Sequence, residues 1–356
     1  MQTFTRTVIV GLVAGLLLMP AAAAWAHTGT SSGGSPVAAV GTQEASVAGT
    51  VVDPDGQPLP GVTVVVINEE TGLRRTSVSD QQGRYRMPGL PVGSYTVRAS
   101  LDGFQDVEST GVVLLLGQEA TFQVAMQVSG AEEQILVLGR APIIDRSSSE
   151  VAGNVSEIQI QMLPMKDRKW LDLSLTLPQT GQDAIRAVFY NSVNIGAGIN
   201  FYSNGFIVDG VSNNWQQQGE PRQDFPQDAI AEFRVIQSNA TARYGFAQGG
   251  YLSAVTKSGT NRWHGTAYGY FRDDALNAKT TFQKTKPDFS RKQFGGSFGG
   301  PIVRDKVFAF VSFEDTRAST FFTVNSGGAF PDEDGTYTRP SNNMMVVGRV
   351  DHILNE

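Results

Sequence analysis

The chain contains no cysteine among its 356 residues. This absence excludes a disulfide framework, thiolate zinc sites, iron–sulfur clusters and a cysteine nucleophile. Histidine is scarce as well, and His27, His264 and His352 lie too far apart in the sequence to show metal-ligand spacing. We interpret each as a surface or strand residue, so the sequence predicts no metal site and no cofactor.

Charge is also sparse. Only 17% of the residues are charged, against about 25% in a typical soluble domain. The 28 basic and 34 acidic residues give a net charge of −6, which lacks the broad positive field that attracts nucleic-acid phosphates. We therefore expect no nucleic-acid partner.

The motifs of common enzyme classes are missing. There is no G-x-S-x-G and no H-E-x-x-H, and T-K-S-G at residues 256–259 lacks the preceding glycine pattern of a phosphate loop. The acidic run at residues 332–335 lacks the later ligands of a calcium loop, so we interpret it as a solvated loop. Asp209, Asp224 and Asp228 lie in turn or capping sequence, which favours structural over catalytic roles. The sequence predicts a protein that is not an enzyme.

Glycine, in contrast, is abundant, with 39 residues in the chain. Because glycine favours turns and weakens helices, this content predicts a mostly β protein. The length predicts two or three domains.

The first 26 residues have the layout of a secretory signal peptide. Arg6 precedes an apolar run at residues 8–19, and Pro20 and small residues follow. We place the cleavage after Ala26. The alternative is a membrane anchor, but an apolar helix of about 12 residues spans only about 18 Å of a roughly 30 Å hydrocarbon core. Residues 27–46 are predicted to be a flexible linker.

Residues 47–128 contain short runs rich in Val and Thr, separated by turn signals. This pattern predicts an antiparallel sandwich of about seven strands. We expect Tyr85 and Tyr95 in its core. The chain reverses at four glycines where a positive φ is expected, namely Gly56, Gly61, Gly83 and Gly93.

Three segments of this sandwich occur in a specific order: G-T-V-V-D-P-D-G-Q-P-L-P-G-V-T-V-V-V at residues 49–66, D-Q-Q-G-R-Y at 80–85 and L-P-V-G-S-Y-T-V at 90–97. They resemble the carboxypeptidase regulatory-like domain. The resemblance implies a transthyretin-like or carbohydrate-binding-like β-sandwich, and no peptidase activity.

An acidic start followed by an apolar run marks residues 129–140. A segment of this kind, tethered by polar sequence, can add a strand to the edge of a partner's sheet. It resembles the TonB box of TonB-dependent outer-membrane receptors, which implies the periplasmic TonB complex as partner. The alternative is one more strand of the sandwich. The residues that would bind the partner are Glu133, Gln134, Ile135, Leu136, Val137 and Leu138.

Residues 141–262 carry a further series of motifs: I-x-x-L-P at 160–164, F-I-V-D-G-V at 206–211, D-A-I-A-E-F-R-V at 228–235, A-R-Y-G at 242–245 and G-G-Y-L-S-A-V-T-K-S-G-T-N at 249–261. Together they resemble the α+β plug domain of a TonB-dependent receptor, in the Oar-like subgroup that carries a regulatory-like domain in front. From the residues alone we expect a helical stretch at 166–177, a short helix at 229–233 that leads into a strand, and a hairpin turn at Asp209 and Gly210.

Four candidate strands of about ten residues follow, at 263–272, 291–300, 306–315 and 344–354, which is the length of a tilted transmembrane strand. They are separated by a loop of about 18 residues, a turn of about 5 and a loop of about 28. Residues 293–310 also resemble the early barrel of the same receptors. The alternative is a soluble β-domain.

Apolar and polar positions alternate in two of these strands. Phe294, Gly296 and Phe298 would face away from Gln293, Gly295 and Ser297; Met344, Val346 and Val350 would face away from Arg349 and Asp351. This alternation predicts the first four strands or so of an incomplete transmembrane β-barrel, with apolar side chains towards lipid. Because related receptors close about 22 strands, we expect the chain to be a fragment that cannot transport alone.

The sequence thus predicts the N-terminal part of a TonB-dependent outer-membrane receptor for energy-coupled uptake, exported in a Gram-negative-type bacterium. Its expected partners are the TonB complex, outer-membrane lipid and a small ligand, which could be a saccharide, a siderophore or a peptide. The alternative function is a secreted or surface carbohydrate-binding or adhesive β-protein.

Overall fold

The computed structural model describes residues 44–129, 149–163, 165, 168–182, 193–196, 203–215, 220–242, 244–245, 247–278, 286 and 288–353. The predicted signal peptide with its cleavage at Ala26, nearly all of the predicted linker and the predicted TonB box at residues 133–138 lie outside these residues. Strands predominate in the described chain, so the prediction of a mostly β protein is confirmed.

The first domain is built from two sheets, ordered β4-β1-β7 and β3-β2-β5-β6. Strands β1 and β7 run parallel and the other neighbours run antiparallel. The predicted number of seven strands is confirmed: β1 (Ala45–Val52), β2 (Thr63–Asn68), β3 (Arg74–Val78), β4 (Arg84–Leu90), β5 (Gly93–Ser100), β6 (Val107–Leu114) and β7 (Glu119–Ala125).

The linker prediction is wrong at its last two residues, because β1 begins at Ala45. The Ala45 side chain is buried in the core between the two sheets. Ser46 pairs with Glu119 in the ladder between β1 and β7. Burial and strand pairing therefore extend this strand two residues beyond the predicted start at Val47.

The core of the first domain contains both tyrosines that the sequence assigns to it. Tyr95 is completely buried and donates a hydrogen bond of 2.8 Å to the Pro91 carbonyl. Tyr85 is also buried, and its hydroxyl donates to the Phe122 carbonyl at 3.3 Å. Burial raises the pKa of Tyr95 to about 12. The four glycines predicted to have a positive φ all have one, from +70° to +143°.

A five-stranded sheet, the middle sheet, follows in the order β12-β11-β16-β15-β8. Strands β11 and β16 are parallel, and the other neighbours are antiparallel. Two short strand pairs flank the sheet. The strands of this region are β8 (Val151–Val155), β9 (Thr180–Gln182), β10 (Val193–Ile195), β11 (Gly205–Val208), β12 (Val211–Ser212), β13 (Asn214–Trp215), β14 (Glu220–Pro221), β15 (Ile230–Ser238) and β16 (Tyr251–Thr256).

One face of the middle sheet packs on an apolar core that includes Trp170, Phe206 and Phe233. The predicted hairpin at Asp209 and Gly210 is confirmed, since it joins the antiparallel strands β11 and β12. Their φ angles are +48° and +78°, and positive φ at both central residues is the signature of a type I′ turn.

Two helix predictions need correction. The predicted stretch at 166–177 contains a 3-10 helix at Trp170–Thr176, while the α-helix α1 lies earlier, at Glu157–Met162. The Gln159 side chain accepts a hydrogen bond from the Ser156 backbone at the start of α1, as in a capping box.

The predicted helix at 229–233 is wrong. A 3-10 helix occupies Gln227–Ala229, and β15 begins at Ile230. The side chains of Ile230, Phe233 and Val235 are fully buried in the core, and β15 pairs with a strand on each side. This tertiary pairing determines the strand.

The C-terminal sheet has four antiparallel strands in sequence order, with β17 and β20 at its edges. The strands are β17 (His264–Asp273), β18 (Ser290–Val303), β19 (Val307–Val324) and β20 (Gly335–His352). The predicted 28-residue loop is wrong, because β19 and β20 pair up to Val324 and Gly335. Residues rich in Thr and aromatics favour strand pairing there, and Phe322 stacks on Tyr337 with ring centroids 5.6 Å apart.

No helix among the described residues is long and apolar enough to cross a membrane.

Candidate functional site

The outward face of the C-terminal sheet is apolar and exposed. Phe298 lies opposite Val311, and Phe313 lies opposite Val346. On β20 the apolar positions run from Met344 to Val350, which is about 20 Å at about 3.3 Å per residue. The predicted outward residues of β18 and β20 are exposed: Phe294 45%, Phe298 53%, Met344 67%, Val346 62% and Val350 69%. The predicted alternation is therefore confirmed at these positions.

The opposite face of this sheet is mostly polar and buried. Gln293, Ser297 and Glu314 are at most 9% exposed. Strand β19 carries apolar side chains on this face at one end, where Phe308 and Phe310 are buried. The part of the chain between the first domain and the C-terminal sheet, which we call the middle region, covers this end. A Cβ at Gly259 would lie 2.5 Å from the Ala309 carbonyl oxygen and 2.6 Å from that of Gly300.

A first polar network joins the middle region to β17. Arg168 forms an ion pair with Asp228, and both side chains are only 14% exposed. The guanidinium lies 4.8 Å from the ring centre of Tyr268 and 4.5 Å from that of Tyr270, within cation–π range. The Tyr268 hydroxyl donates to Glu314 on β19 at 2.7 Å. We call these five residues the Arg168 network.

A second polar network joins β16 to β20. Asp209 accepts hydrogen bonds from the Thr256 backbone at 2.9 Å and from its hydroxyl at 2.6 Å. Arg349 donates to the Thr256 carbonyl at 2.7 Å and to Asp351 at 2.9 Å. Ser258 donates to Asp351 at 2.7 Å. The two networks hold the middle region against the C-terminal sheet at separate positions.

The aspartates singled out in the sequence take different places. Asp209 fixes a hairpin and a neighbouring strand, and Asp228 pairs with Arg168, so the structural interpretation agrees with the contacts of both. Asp224 is exposed in the segment that precedes the 3-10 helix. His264 and His352 are exposed on strands, and His27 lies outside the described residues.

Asp332, Glu333 and Asp334 of the acidic run are exposed, and the run overlaps a 3-10 helix at Pro331–Glu333 and the start of β20 at Gly335. Within the described ranges no group of three or more His, Cys, Asp or Glu is placed to hold a metal ion. The predicted partner-binding residues Glu133 to Leu138 cannot be placed against either network, since they lie outside those ranges.

Sequence reasoning did not find Arg168, Tyr268 or Glu314, and it placed Arg349 on the polar face of the fourth strand without identifying its partners. Tyr268 and Glu314 are 46 residues apart, Arg168 and Tyr270 are 102 apart, and Arg349 and Asp209 are 140 apart. Local patterns therefore carry no sign of these three pairings. One signal in the sequence could have indicated these residues, namely a charged or phenolic side chain at an inward position of a strand. Glu314 and Arg349 are examples, because each has an apolar neighbour that faces outward.

Two protein-family models match the chain. The carboxypeptidase regulatory-like domain matches residues 46–127, which covers β1 to β7. The outer membrane beta barrel domain matches residues 255–334, which begins at the end of β16 and continues into the C-terminal sheet.

Individual proteins are similar as well. The TonB-dependent transporter Oar of Myxococcus xanthus is 24% identical over 354 residues, covering 88% of this chain and 32% of Oar. The ferrienterobactin receptor of Escherichia coli K12 is 31% identical over 97 residues, covering 24% of this chain and 13% of the receptor. The crystal structure of the outer membrane transporter YddB from Escherichia coli aligns at 15% identity with a TM-score of 0.43, covering 56% and 30%.

The chain spans about a third of the length of Oar and a smaller share of the ferrienterobactin receptor. With its regulatory-like domain, its outer membrane beta barrel match and its similarity along most of its length, the chain is a homologue of the TonB-dependent transporter Oar.

Proposed function

We propose that the chain acts in a TonB-dependent outer-membrane receptor for energy-coupled uptake of a small ligand, and that its role is not enzymatic. In this proposal residues 141–262 form the plug and the C-terminal sheet contributes to the membrane wall. The segment from Glu133 to Leu138 is the TonB box, and residues 1–26 are the export signal. The ligand is a saccharide, a siderophore or a peptide.

The observation that carries the proposal is the distribution of apolar and polar side chains between the two faces of the C-terminal sheet. A soluble sheet buries its apolar face, whereas here the aromatic and aliphatic face is exposed and the other face buries polar side chains of the two central strands, β18 and β19. Exposed apolar patches of this kind mark membrane or partner contact. The apolar stretch of about 20 Å on β20 is close to the roughly 25 Å band of outer-membrane strands. Lipid is the environment that best matches this face.

The two polar networks are consistent with a plug that lies against the C-terminal sheet and is able to move. Both networks consist of polar contacts: hydrogen bonds and ion pairs, together with the cation–π contacts of Arg168. Such contacts can be exchanged for water when a force is applied to the plug. A strand added to TonB at Glu133 to Leu138 would supply the connection through which that force acts.

The alternative function, carbohydrate binding by the first domain, finds little support in its surface. Sugar-binding platforms generally use exposed aromatic rings, whereas Tyr85 and Tyr95 are buried. The exposed large apolar side chains of residues 44–129 are three valines, Val78, Val113 and Val128. The first domain therefore offers no exposed ring for a saccharide to stack on.

Membrane fractionation tests the proposal. When the chain is expressed with its own first 26 residues in a Gram-negative host, as the N-terminal part of a complete receptor with a closed barrel, we expect the product in the outer-membrane fraction, resistant to alkaline carbonate. A secreted or adhesive protein would be released by carbonate, and that result would contradict the proposal.

A matched pair of substitutions makes this test specific to the apolar face. Val311→Lys places a charge on the outward face, which costs about 2–4 kcal/mol at the centre of a bilayer. We expect it to lower the membrane-bound amount strongly. Val113→Lys on the first domain is the control, because Val113 is exposed to a similar extent (51% against 46%); its membrane association should not change.

A further inference from the structure

The first domain touches the middle sheet through the backbone of one residue. The Leu116 N–H donates to the Glu232 carboxylate at 3.0 Å. The Leu116 carbonyl accepts from the Asn154 amide at 3.0 Å and from the Arg234 guanidinium at 3.1 Å. Leu116 is only 1% exposed, so both of its backbone polar groups are satisfied by side chains of the other domain.

The side chains that bind Leu116 are those of Asn154, Glu232 and Arg234. They form a polar socket on the face of the middle sheet opposite its apolar core. Glu232 and Arg234 are two residues apart on β15, so they share a face, while Phe233 between them is in the core. Asn154 is the cross-strand partner of Arg234 on β8. Arg234 also forms a buried ion pair of 3.1 Å with Glu150.

Buried charges are costly unless they are paired and hydrogen-bonded. Burial raises the pKa of Glu232, while the Asn154 amide, the Leu116 N–H and the Arg234 charge lower it. A sheet whose only task was to pack would not need this socket. Its geometry is explained by the Leu116 backbone that fills it.

Gly117 allows the close approach. Its φ is +66°, and a Cβ at this position would lie 3.1 Å from Cδ of Arg234 and 3.3 Å from its Nε. A methyl group here would force the Arg234 side chain, which binds the Leu116 carbonyl, to shift.

A second turn of the first domain reaches the C-terminal sheet. The Glu70 carbonyl accepts from the Asn261 backbone at 2.9 Å. Asn261 in turn bonds Asp305, in the turn between β18 and β19, at 2.7 Å and 2.9 Å. Gly72 has a φ of +73°, and a Cβ there would lie 2.8 Å from the Asp305 carboxylate. This turn therefore lies where the middle region meets the C-terminal sheet.

We infer that the first domain is an internal clamp. Its Leu116 turn binds the polar socket of the middle sheet, its Glu70 turn binds at Asn261 and Asp305, and the two contacts together hold the middle sheet against the C-terminal sheet. Release of the clamp frees the middle sheet to move. The inference rests on the proposed function only for the role of the middle sheet as a plug.

Paired glycine substitutions separate clamp contacts from backbone strain. In the double variant Gly72→Ala/Gly117→Ala both new Cβ atoms meet the partner side chains. In the control Gly56→Ala/Gly111→Ala the glycines have similar φ values of +78° and +72°, but a Cβ at either would meet nothing within 4 Å. Both variants carry the same type of strain in the same domain, and only the first disturbs the clamp.

The readout is amide hydrogen exchange of the full chain in detergent micelles, which needs neither TonB nor a ligand. We expect the clamp variant to raise exchange at Leu116 by about tenfold or more over the control, a change of about 1.4 kcal/mol. Exchange in β16 (Tyr251–Thr256) should also rise. Amides of β2 (Thr63–Asn68), in the core of the first domain, should match the control.

Two results would overturn the clamp. One is equal Leu116 exchange in the clamp and control variants, which would mean that the domain is not docked. The other is faster exchange at Leu116 with unchanged exchange in β16, which would mean that the docked domain does not restrain the middle sheet. A failure of TonB coupling, in contrast, would leave these exchange rates unaffected and would concern the proposed function alone.

Discussion

Arg168→Met should lower the free energy of unfolding by about 3 kcal/mol, because it leaves the largely buried carboxylate of Asp228 without its cation. The ion pair is 14% exposed on both sides, so water cannot replace the lost partner freely. The substitution also removes the guanidinium from between Tyr268 and Tyr270. Arg168 has a φ of +50°, and methionine keeps that backbone strain, so the loss reports on the side chain.

Denaturant unfolding measures this loss when it is followed by tryptophan fluorescence, to which the buried Trp170 contributes, and by far-ultraviolet circular dichroism, which also reports on the first domain. Arg98→Met is the control: its ion pair with Glu108 is 51% and 37% exposed, and exposed pairs contribute at most about 1 kcal/mol. The double variant Arg168→Met/Asp228→Leu should recover part of the stability. Equal losses for Arg168→Met and Arg98→Met would show that the Arg168 network does not stabilise the chain.

Ile135→Pro should abolish capture of the chain by the periplasmic domain of TonB. Strand addition depends on backbone hydrogen bonds, and proline removes one donor and disfavours pairing within a sheet. A pull-down with purified TonB domain measures retention of wild type and variant. Ile135→Val is the matched control, because valine keeps the backbone N–H and the β-branched side chain. Retention of Ile135→Pro at the wild-type level would contradict the assignment of the TonB box.

Local patterns predicted those parts of the fold that depend on neighbouring residues. The Asp209–Gly210 turn follows from two residues that tolerate positive φ, and the seven strands of the first domain follow from Val-rich runs between turns. The outward face of β18 and β20 follows from simple alternation. In each case the decisive interaction lies within a few residues of the signal.

The errors lie where tertiary pairing decides. Residues 229–233 have the apolar spacing of a short helix, yet Ile230 and Phe233 are held in a strand between β8 and β16. The extension of β19 and β20 beyond the predicted strands depends on pairing between Thr320 or Phe322 and residues about 15 to 20 positions later. No hydropathy pattern marks such an extension, because its side chains are largely exposed.

The polar contacts between domains were also invisible in the sequence. Glu232 and Arg234 resemble ordinary alternating residues of a half-exposed strand, and only the structure shows that Leu116 covers them. The separation of 116 residues between Leu116 and Glu232 exceeds any local pattern. Charged residues that alternate with Phe233 and Val235 in an otherwise buried strand are the signal that could have indicated such a socket.

The central claim, that this chain is coupled to TonB, is tested most directly by a cysteine crosslink in living cells. The chain has no cysteine of its own, so Ile135→Cys introduces a single reactive thiol, to be paired with one cysteine in the periplasmic domain of TonB. Val113→Cys, on the exposed surface of the first domain, is the control. We predict a disulfide-linked product with Ile135→Cys and little with Val113→Cys; equal or absent crosslinking at the two positions would contradict the account.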